Sequence, residues 1–328
     1  MKANAISRRD FVKRAALVPF CAATVMGGLA AEAHGPVKRA GGSALKVSLN
    51  AYSFNKLLND YNLNHDRGLS LMTLLEFCAK NDFDAIDVTG YYFSGYPNVP
   101  SDDTIYTFKR TAFEYGIGIS GTGVKNRFTT SDKAERTTSI QLIKDWVVVA
   151  AKLGAPVIRV FCDTPQAPGL KTWQDAAKGF TREQVQAWMV DALGECAEHG
   201  KKHGVIIGVQ NHGDFLKTAD QLLSLIHAVN SDWCGAIVDT GLFMSDDPYA
   251  DIAKAAPYAV NWQIKQRQVN GKSDRLTDLT KLMGIVRASG YRGYLPIETF
   301  AAPNQVYDPL VDVPSFLKQV RAAIAQTA

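Results

Sequence analysis

The chain has 328 residues, 46% hydrophobic and 21% charged, the balance of an ordinary soluble globular protein with a large core. Its formal charge is +4, but residues 1–33 carry five basic against two acidic side chains, so the remainder stands near +1. A nearly neutral body lacks the electrostatic footprint of a nucleic-acid or membrane-surface binder, so no nucleic-acid partner is expected.

In chain order, Ser7-Arg8-Arg9-Asp10-Phe11-Val12-Lys13 comes first and resembles the twin-arginine export signal. A moderately apolar run from Ala15 to Ala31 follows, and Ala31-Glu32-Ala33 reads as a cleavage site. Pro19 and the pair Gly27-Gly28 favour a cleaved signal over a lasting transmembrane helix, so no stable membrane anchor is expected after cleavage. The resemblance implies passage through the twin-arginine translocase in folded form, to the periplasm or another extracytoplasmic space. Residues 1–33 are thus read as signal, 34–44 as a tail and 45–328 as the folded domain.

From Leu45 strands and helices alternate without a break in composition. Strands are expected at Leu45–Phe54, Ala85–Val88, Gly118–Gly121 and Val157–Phe161. The helices between them start near Ser70, Thr104 and Ala134, and Thr181 with Gln184 forms a capping box for a helix reaching His203. Four more strand stretches follow, Val205–Asp214, Ala236–Gly241, Asn261–Lys265 and Tyr294–Glu298, with a last helix over Pro314–Ile324. Eight strand–helix repeats predict one closed (β/α)8 TIM barrel. The first strand-to-helix loop has no G-x-G-x-x-G, which argues against a dinucleotide fold. Cys78, Cys162, Cys196 and Cys234 are scattered without a C-x-x-C pair and are expected to be buried free thiols.

The last four strands end in chemistry. Val205-Ile-Ile-Gly-Val-Gln-Asn-His-Gly-Asp214 passes from a β-branched run to polar groups, and period-two alternation puts Gly208, Gln210 and His212 on one face. Asp239, Gln263, Lys265 and Glu298 occupy corresponding ends, where α/β barrels present their sites. In Gln210-Asn-His-Gly-Asp214, Val238-Asp-Thr-Gly-Leu-Phe243, Gln263-Ile-Lys265 and Pro296-Ile-Glu298 the chain resembles the xylose isomerase-like sugar isomerase/epimerase superfamily, which also includes metal-dependent abasic-site endonucleases. Epimerases of that group hold a divalent metal with Glu, Asp, His and Glu on strands five to eight. Residue by residue those roles fall on Gln210, Asp239, Gln263 and Glu298, so two of the four types match. Oxygen donors of this kind imply Mn²⁺, Mg²⁺ or Ca²⁺ rather than zinc.

The resemblance also implies paired proton acceptors on the first and last of these positions, of which only Glu298 is a carboxylate here. His212 and Lys265 are the other titratable groups on these faces and are candidate catalytic residues with Glu298. Lys265 is alternatively an ion-pair partner of Glu298 or Asp239, and His212 a hydrogen-bonded strand-end residue. Tyr91 and Tyr92 on the second loop, and Trp173, are expected to stack on a sugar ring, with Arg159 and Lys125 binding an acidic group. The expected activity is isomerisation, epimerisation or elimination by proton removal α to a carbonyl of an unphosphorylated keto-sugar or glycoside. The alternatives are a sugar-binding barrel without catalysis and a metal-dependent hydrolase of the endonuclease type. The hydrolase is disfavoured because only one of six histidines lies in these motifs.

Overall fold

Short β-branched runs buried on both faces make the staves of a closed barrel. The computed structural model describes residues 35–162, 172–213, 215–269, 274–301 and 305–327. The twin-arginine motif, most of the long loop after the fourth strand and Asp214 lie outside them. The strands are β1 (Ala44–Asn50), β2 (Ala85–Thr89), β3 (Gly118–Gly123), β4 (Val157–Val160), β5 (Ile206–Gln210), β6 (Cys234–Asp239), β7 (Ala259–Lys265), β8 (Arg267–Val269), β9 (Asp274–Leu276) and β10 (Arg292–Glu298). Eight of them pair in parallel around a ring, β1 through β7 in order and then β10 back to β1. The (β/α)8 barrel expected from the repeats is the observed architecture. The sequence reading did not resolve β8 and β9, which form a separate antiparallel ribbon directly after Lys265.

Ten helices connect the strands among the described residues: α1 (Asn55–Leu63), α2 (Leu71–Lys80), α3 (Asp102–Glu114), α4 (Lys133–Leu153), α5 (Trp173–Ala177), α6 (Arg182–His203), α7 (Ala219–Val229), α8 (Pro248–Ala255), α9 (Leu279–Ala288) and α10 (Pro309–Gln326). Their starts follow local chemistry. Ser70, Ser101, Thr181 and Thr218 each accept a hydrogen bond from a backbone N–H in the first turn, and Thr181 with Gln184 makes the reciprocal capping box. None of these helices is long and apolar enough to cross a membrane.

Two boundaries differ from the sequence reading. The first strand stops at Asn50, because its carboxamide accepts from the Tyr52 N–H and turns the chain into a 3₁₀ segment at Ala51–Phe54. The last helix begins at Pro309, capped by Asp308, and carries Pro314 inside it rather than at its head. A proline so early removes only one intrahelical bond, which the buried Val313, Phe316 and Leu317 face offsets.

The apolar core lies between barrel and helices, where Trp146, Phe108, Phe316 and Trp262 are fully buried. The four cysteines expected to be buried thiols are buried, and no disulfide joins them among the described residues. Inside the barrel the filling is more polar. The Ser48 and Ser120 hydroxyls meet at 2.6 Å, and Asn261 donates to Asp87 and to the Ser120 carbonyl, both at 3.3 Å. Glycines make room for the larger inward side chains. A Cβ on Gly123 would stand 2.6 Å from Nε of Arg159, its register partner across β3 and β4.

Candidate active site

At the C-terminal ends of the strands the interior opens into a cavity of about 370 Å³. Its wall includes Gln210, His212, Gln263, Lys265, Glu298, Arg159, Tyr91 and Lys125, all proposed from sequence. Asp239 lies directly behind this wall, with no exposed surface.

The strand ends fix these side chains through their register. Glu298 stands beside Lys265 across β10 and β7, and Asp239 beside Gln263 across β6 and β7. Asn211, on the opposite face from Gln210, binds the β6 backbone with both ends of its carboxamide, donating to the Asp239 carbonyl at 2.9 Å and accepting from the Asp239 N–H at 2.8 Å. Asp239-Thr-Gly241 does the same for Lys265. The Thr240 hydroxyl accepts from the Lys265 N–H at 2.9 Å, and the Gly241 N–H donates to the Asp239 carboxylate at 2.9 Å. A Cβ on Gly241 would fall 2.6 Å from Cγ of Lys265, so the lysine stem passes where only glycine leaves space.

The polar atoms form one network. Lys265 Nζ hydrogen-bonds Glu298 Oε1 and lies 3.4 Å from Asp239 Oδ2. Gln210 Nε2 donates to the same Asp239 Oδ2 at 2.6 Å and to Gln263 Oε1 at 3.0 Å, while its own Oε1 accepts from Arg159 Nη1 at 3.4 Å. Burial works against the Lys265 ammonium, but the Asp239 and Glu298 charges and hydrogen bonds outweigh it and hold its pKa above the ordinary lysine value. Burial pushes the Asp239 carboxyl up, and the opposing pull of Lys265 with the Gly241 N–H suits a carboxylate with three donors around it. Lys265 is therefore a cation in an ion pair, which makes it a hydrogen-bond donor in this arrangement and not a resting base. Of the two sequence readings for this residue, the ion-pair one describes the geometry.

This network also tests the four positions matched to metal ligands. The amino end of Gln210 faces Asp239 and Gln263, its oxygen faces a guanidinium, and the Gln263 oxygen is engaged by Gln210. The space between the two carboxylates is filled by an ammonium. No group of three or more His, Cys, Asp or Glu able to hold a metal occurs among the described residues. The donor set as arranged does not fit a divalent cation.

The aromatic and basic expectations divide. Tyr91 lines the cavity, with Lys125 Nζ 4.4 Å from its ring centre and the Arg159 guanidinium at 5.8 Å. Tyr92 does not reach it: its hydroxyl donates to Asn55 at 2.9 Å and it is 2% exposed. Trp173 is not in the wall either, and packs edge-on against Phe215 at 5.3 Å. Two adjacent tyrosines on a turn point to opposite sides, so only one serves each purpose. The structure adds Tyr52, Asn126, Phe161 and Phe300 to the wall. Phe300 was findable, since alternation from Glu298 sends it to the same face. Asn126 gave no local signal: its carboxamide brackets Phe161, donating to the carbonyl at 2.7 Å and accepting from the N–H at 2.8 Å. Phe161 in turn packs on His212, ring centres 4.5 Å apart.

Barrel and strand-end cavity together define a xylose isomerase-like TIM barrel. Residues 75–320 match that family, and the chain belongs to it. Among solved structures, a D-psicose 3-epimerase is 18% identical with a TM-score of 0.66, covering 85% of this chain and 99% of its own. An L-ribulose 3-epimerase is 16% identical, TM-score 0.66, with 86% and 95% covered. The 3-keto-D-glucoside 4-epimerase of E. coli is 14% identical, TM-score 0.65, with 85% and 99% covered. No curated protein sequence matches the chain.

Proposed function

We propose that this protein is a sugar isomerase, epimerase or related lyase that removes the proton α to a carbonyl of an unphosphorylated keto-sugar or oxidised glycoside. The observation that carries the reading is the Lys265–Glu298 pair in the wall of the strand-end cavity, a carboxylate and a fixed hydrogen-bond donor side by side. Proton abstraction next to a carbonyl needs such a pair: one group to take the proton, another to hold the negative charge that moves to oxygen. The barrel's likeness to three epimerases of sugars or keto-glycosides supports the substrate class.

In this reading Glu298 accepts the proton, and Lys265 directs a hydrogen bond to the carbonyl oxygen. Tyr91 offers its ring to the sugar face, and Arg159 with Lys125 orients hydroxyl or acidic groups at the β3–β4 side. His212, in the cavity wall just past the β5 end, is the candidate for the proton transfer on the second face that epimerisation requires. The test is deuterium incorporation from D₂O into keto-sugars and 3-keto-glycosides, read by NMR. Parent protein should label the carbon beside the carbonyl, and Glu298→Gln should suppress labelling by ~10²–10⁴-fold, the usual contribution of a general base. Absence of labelling in every keto-sugar and keto-glycoside tried would overturn the reading and favour a binding barrel without catalysis.

Export through the twin-arginine translocase is part of the same proposal, supported by Arg8-Arg9, the apolar run and Ala31-Glu32-Ala33. Replacing both arginines with lysine should leave uncleaved precursor in the cytoplasm. Mature protein still reaching the periplasm in that variant would remove the basis for an extracytoplasmic location.

A further inference from the structure

We infer that the ammonium of Lys265 is the resident cation of this site, and that the protein acts on its substrate without a divalent metal. The inference rests on the proposed proton abstraction for its chemistry, but its structural half stands alone. Lys265 Nζ sits against both strand-end carboxylates at once, Glu298 by a hydrogen bond and Asp239 at 3.4 Å. Those two are the carboxylates of this end of the network. A cation gathered by both would have to occupy the position the ammonium holds.

The lysine is built in rather than resting there. Its N–H is held by the Thr240 hydroxyl at 2.9 Å, and its carbonyl accepts from the Thr277 hydroxyl at 2.7 Å. Its stem crosses Gly241 at a distance that admits no Cβ. The residue is 6% exposed, with its side chain held in the cavity wall. The neighbouring oxygens follow the same pattern. Gln210 turns its amino end toward Asp239 and Gln263 and its oxygen toward Arg159, an orientation complementary to carboxylates and opposed to a metal ion.

Chemically, the ammonium supplies fixed positive charge without taking part in the proton count. Glu298 takes the proton from the carbon beside the carbonyl. The C–H electron pair becomes the carbon–carbon double bond of the enediolate, and the carbonyl π pair moves to oxygen. Lys265 donates a hydrogen bond to that oxygen and keeps its own proton. For isomerisation the proton goes to the former carbonyl carbon while the neighbouring hydroxyl proton passes to its oxygen, so that the carbonyl re-forms at the original carbon. For epimerisation Glu298 keeps the proton it took, His212 delivers one to the other face of the original carbon, and the oxygen electron pair re-forms the carbonyl. Electrons and atoms balance with no added ion or oxidant.

The experiment uses the full mature chain. After dialysis against a chelator, with metal content checked by elemental analysis, parent protein is titrated with Mn²⁺ while free Mn²⁺ is followed by electron paramagnetic resonance. We expect no saturable site, and deuterium labelling of a keto-sugar substrate within twofold of the undialysed rate. Lys265→Ala should acquire one Mn²⁺ per chain between the exposed carboxylates, and Lys265→Ala with Glu298→Gln should lose it again. A saturable Mn²⁺ site in the parent that Asp239→Asn abolishes would overturn the inference, as would labelling that disappears on chelation and returns with Mn²⁺ or Mg²⁺. The parent titration needs no variant to fold. It is also decided without any turnover, so failure of the proposed reaction and failure of the lysine-for-metal inference are separate results.

Discussion

Two aspartates are buried inside the same barrel, burial pushes both carboxyls up, and they differ in the partners the fold brings to them. Asp87, on β2, has Asn261 as a hydrogen-bond donor at 3.3 Å, and burial pushes its carboxyl up to about 7 with Arg159 pulling the other way. Asp239, on β6, has Gln210, the Gly241 N–H and the Lys265 ammonium around it. The β2–β4 side thus encloses an acid close to neutrality, whereas the β6–β10 side builds a charged pair with every partner supplied by the chain. Burial raises both carboxyls, and the cation and hydrogen bonds that the fold brings to each one oppose it. The difference separates two polar clusters within one interior, of which the second is the proposed reaction centre.

The most severe way to break that contrast is to remove the cation from the charged side. Lys265→Met should leave Asp239 and Glu298 without their counter-charge, lowering stability by about 3–5 kcal/mol in denaturant unfolding. It should also cut deuterium labelling by at least the ~10²-fold expected for losing the charge on oxygen.

On the other side, Asp87 sharpens the contrast through pH. Folded, it holds its proton to about pH 7; unfolded, only to the ordinary aspartate value of 3.8. Between those values the native state binds more protons, so this contribution is fully present below about pH 4 and is lost as pH rises to about 7. Asp87→Asn should flatten that part of the stability profile, a relative change of up to ~4 kcal/mol between about pH 4 and pH 7.5. A parallel pair of profiles would mean Asp87 ionises normally.

Gly123→Ala tests the packing on the same side. The new Cβ would press on Arg159 Nε, and overpacking of this kind costs about 1–3 kcal/mol. The unfolding midpoint should fall, with labelling reduced only as far as Arg159 shifts. The smallest effect is expected at Tyr92→Phe, which deletes one hydrogen bond to Asn55, about 1 kcal/mol, and leaves labelling unchanged. Equal loss of labelling in Tyr92→Phe would show that the tyrosine turn works as a unit.

Much of this was legible in the residues. Alternating strand and helix signals, with Ser, Thr and Asp at helix heads, determine a barrel because each is a local effect. The strand-end side chains were equally legible, since alternation decides which of Gln210 and Asn211 faces inward. What stayed hidden depends on contacts far apart in sequence. That Lys265 reaches Glu298 and Asp239 together depends on register across three strands, and no spacing encodes it. Tyr92 and Trp173 were misplaced because an aromatic on a loop has no periodicity to say which way it turns. The β8–β9 ribbon escaped because its strands are three residues each, too short for any pattern.

Asn211 has a bearing on how such a barrel diversifies. Its carboxamide imitates a peptide unit, giving and receiving one bond with the Asp239 backbone. A carboxylate there would repel the carbonyl it now donates to, and an apolar residue would leave both groups orphaned. Frame and cavity are consequently written on different letters of the chain: 211, 240 and 241 hold the scaffold, while 210, 212, 263 and 265 face the cavity. A library that randomises the second set and leaves the first untouched would explore new reactions on an intact barrel.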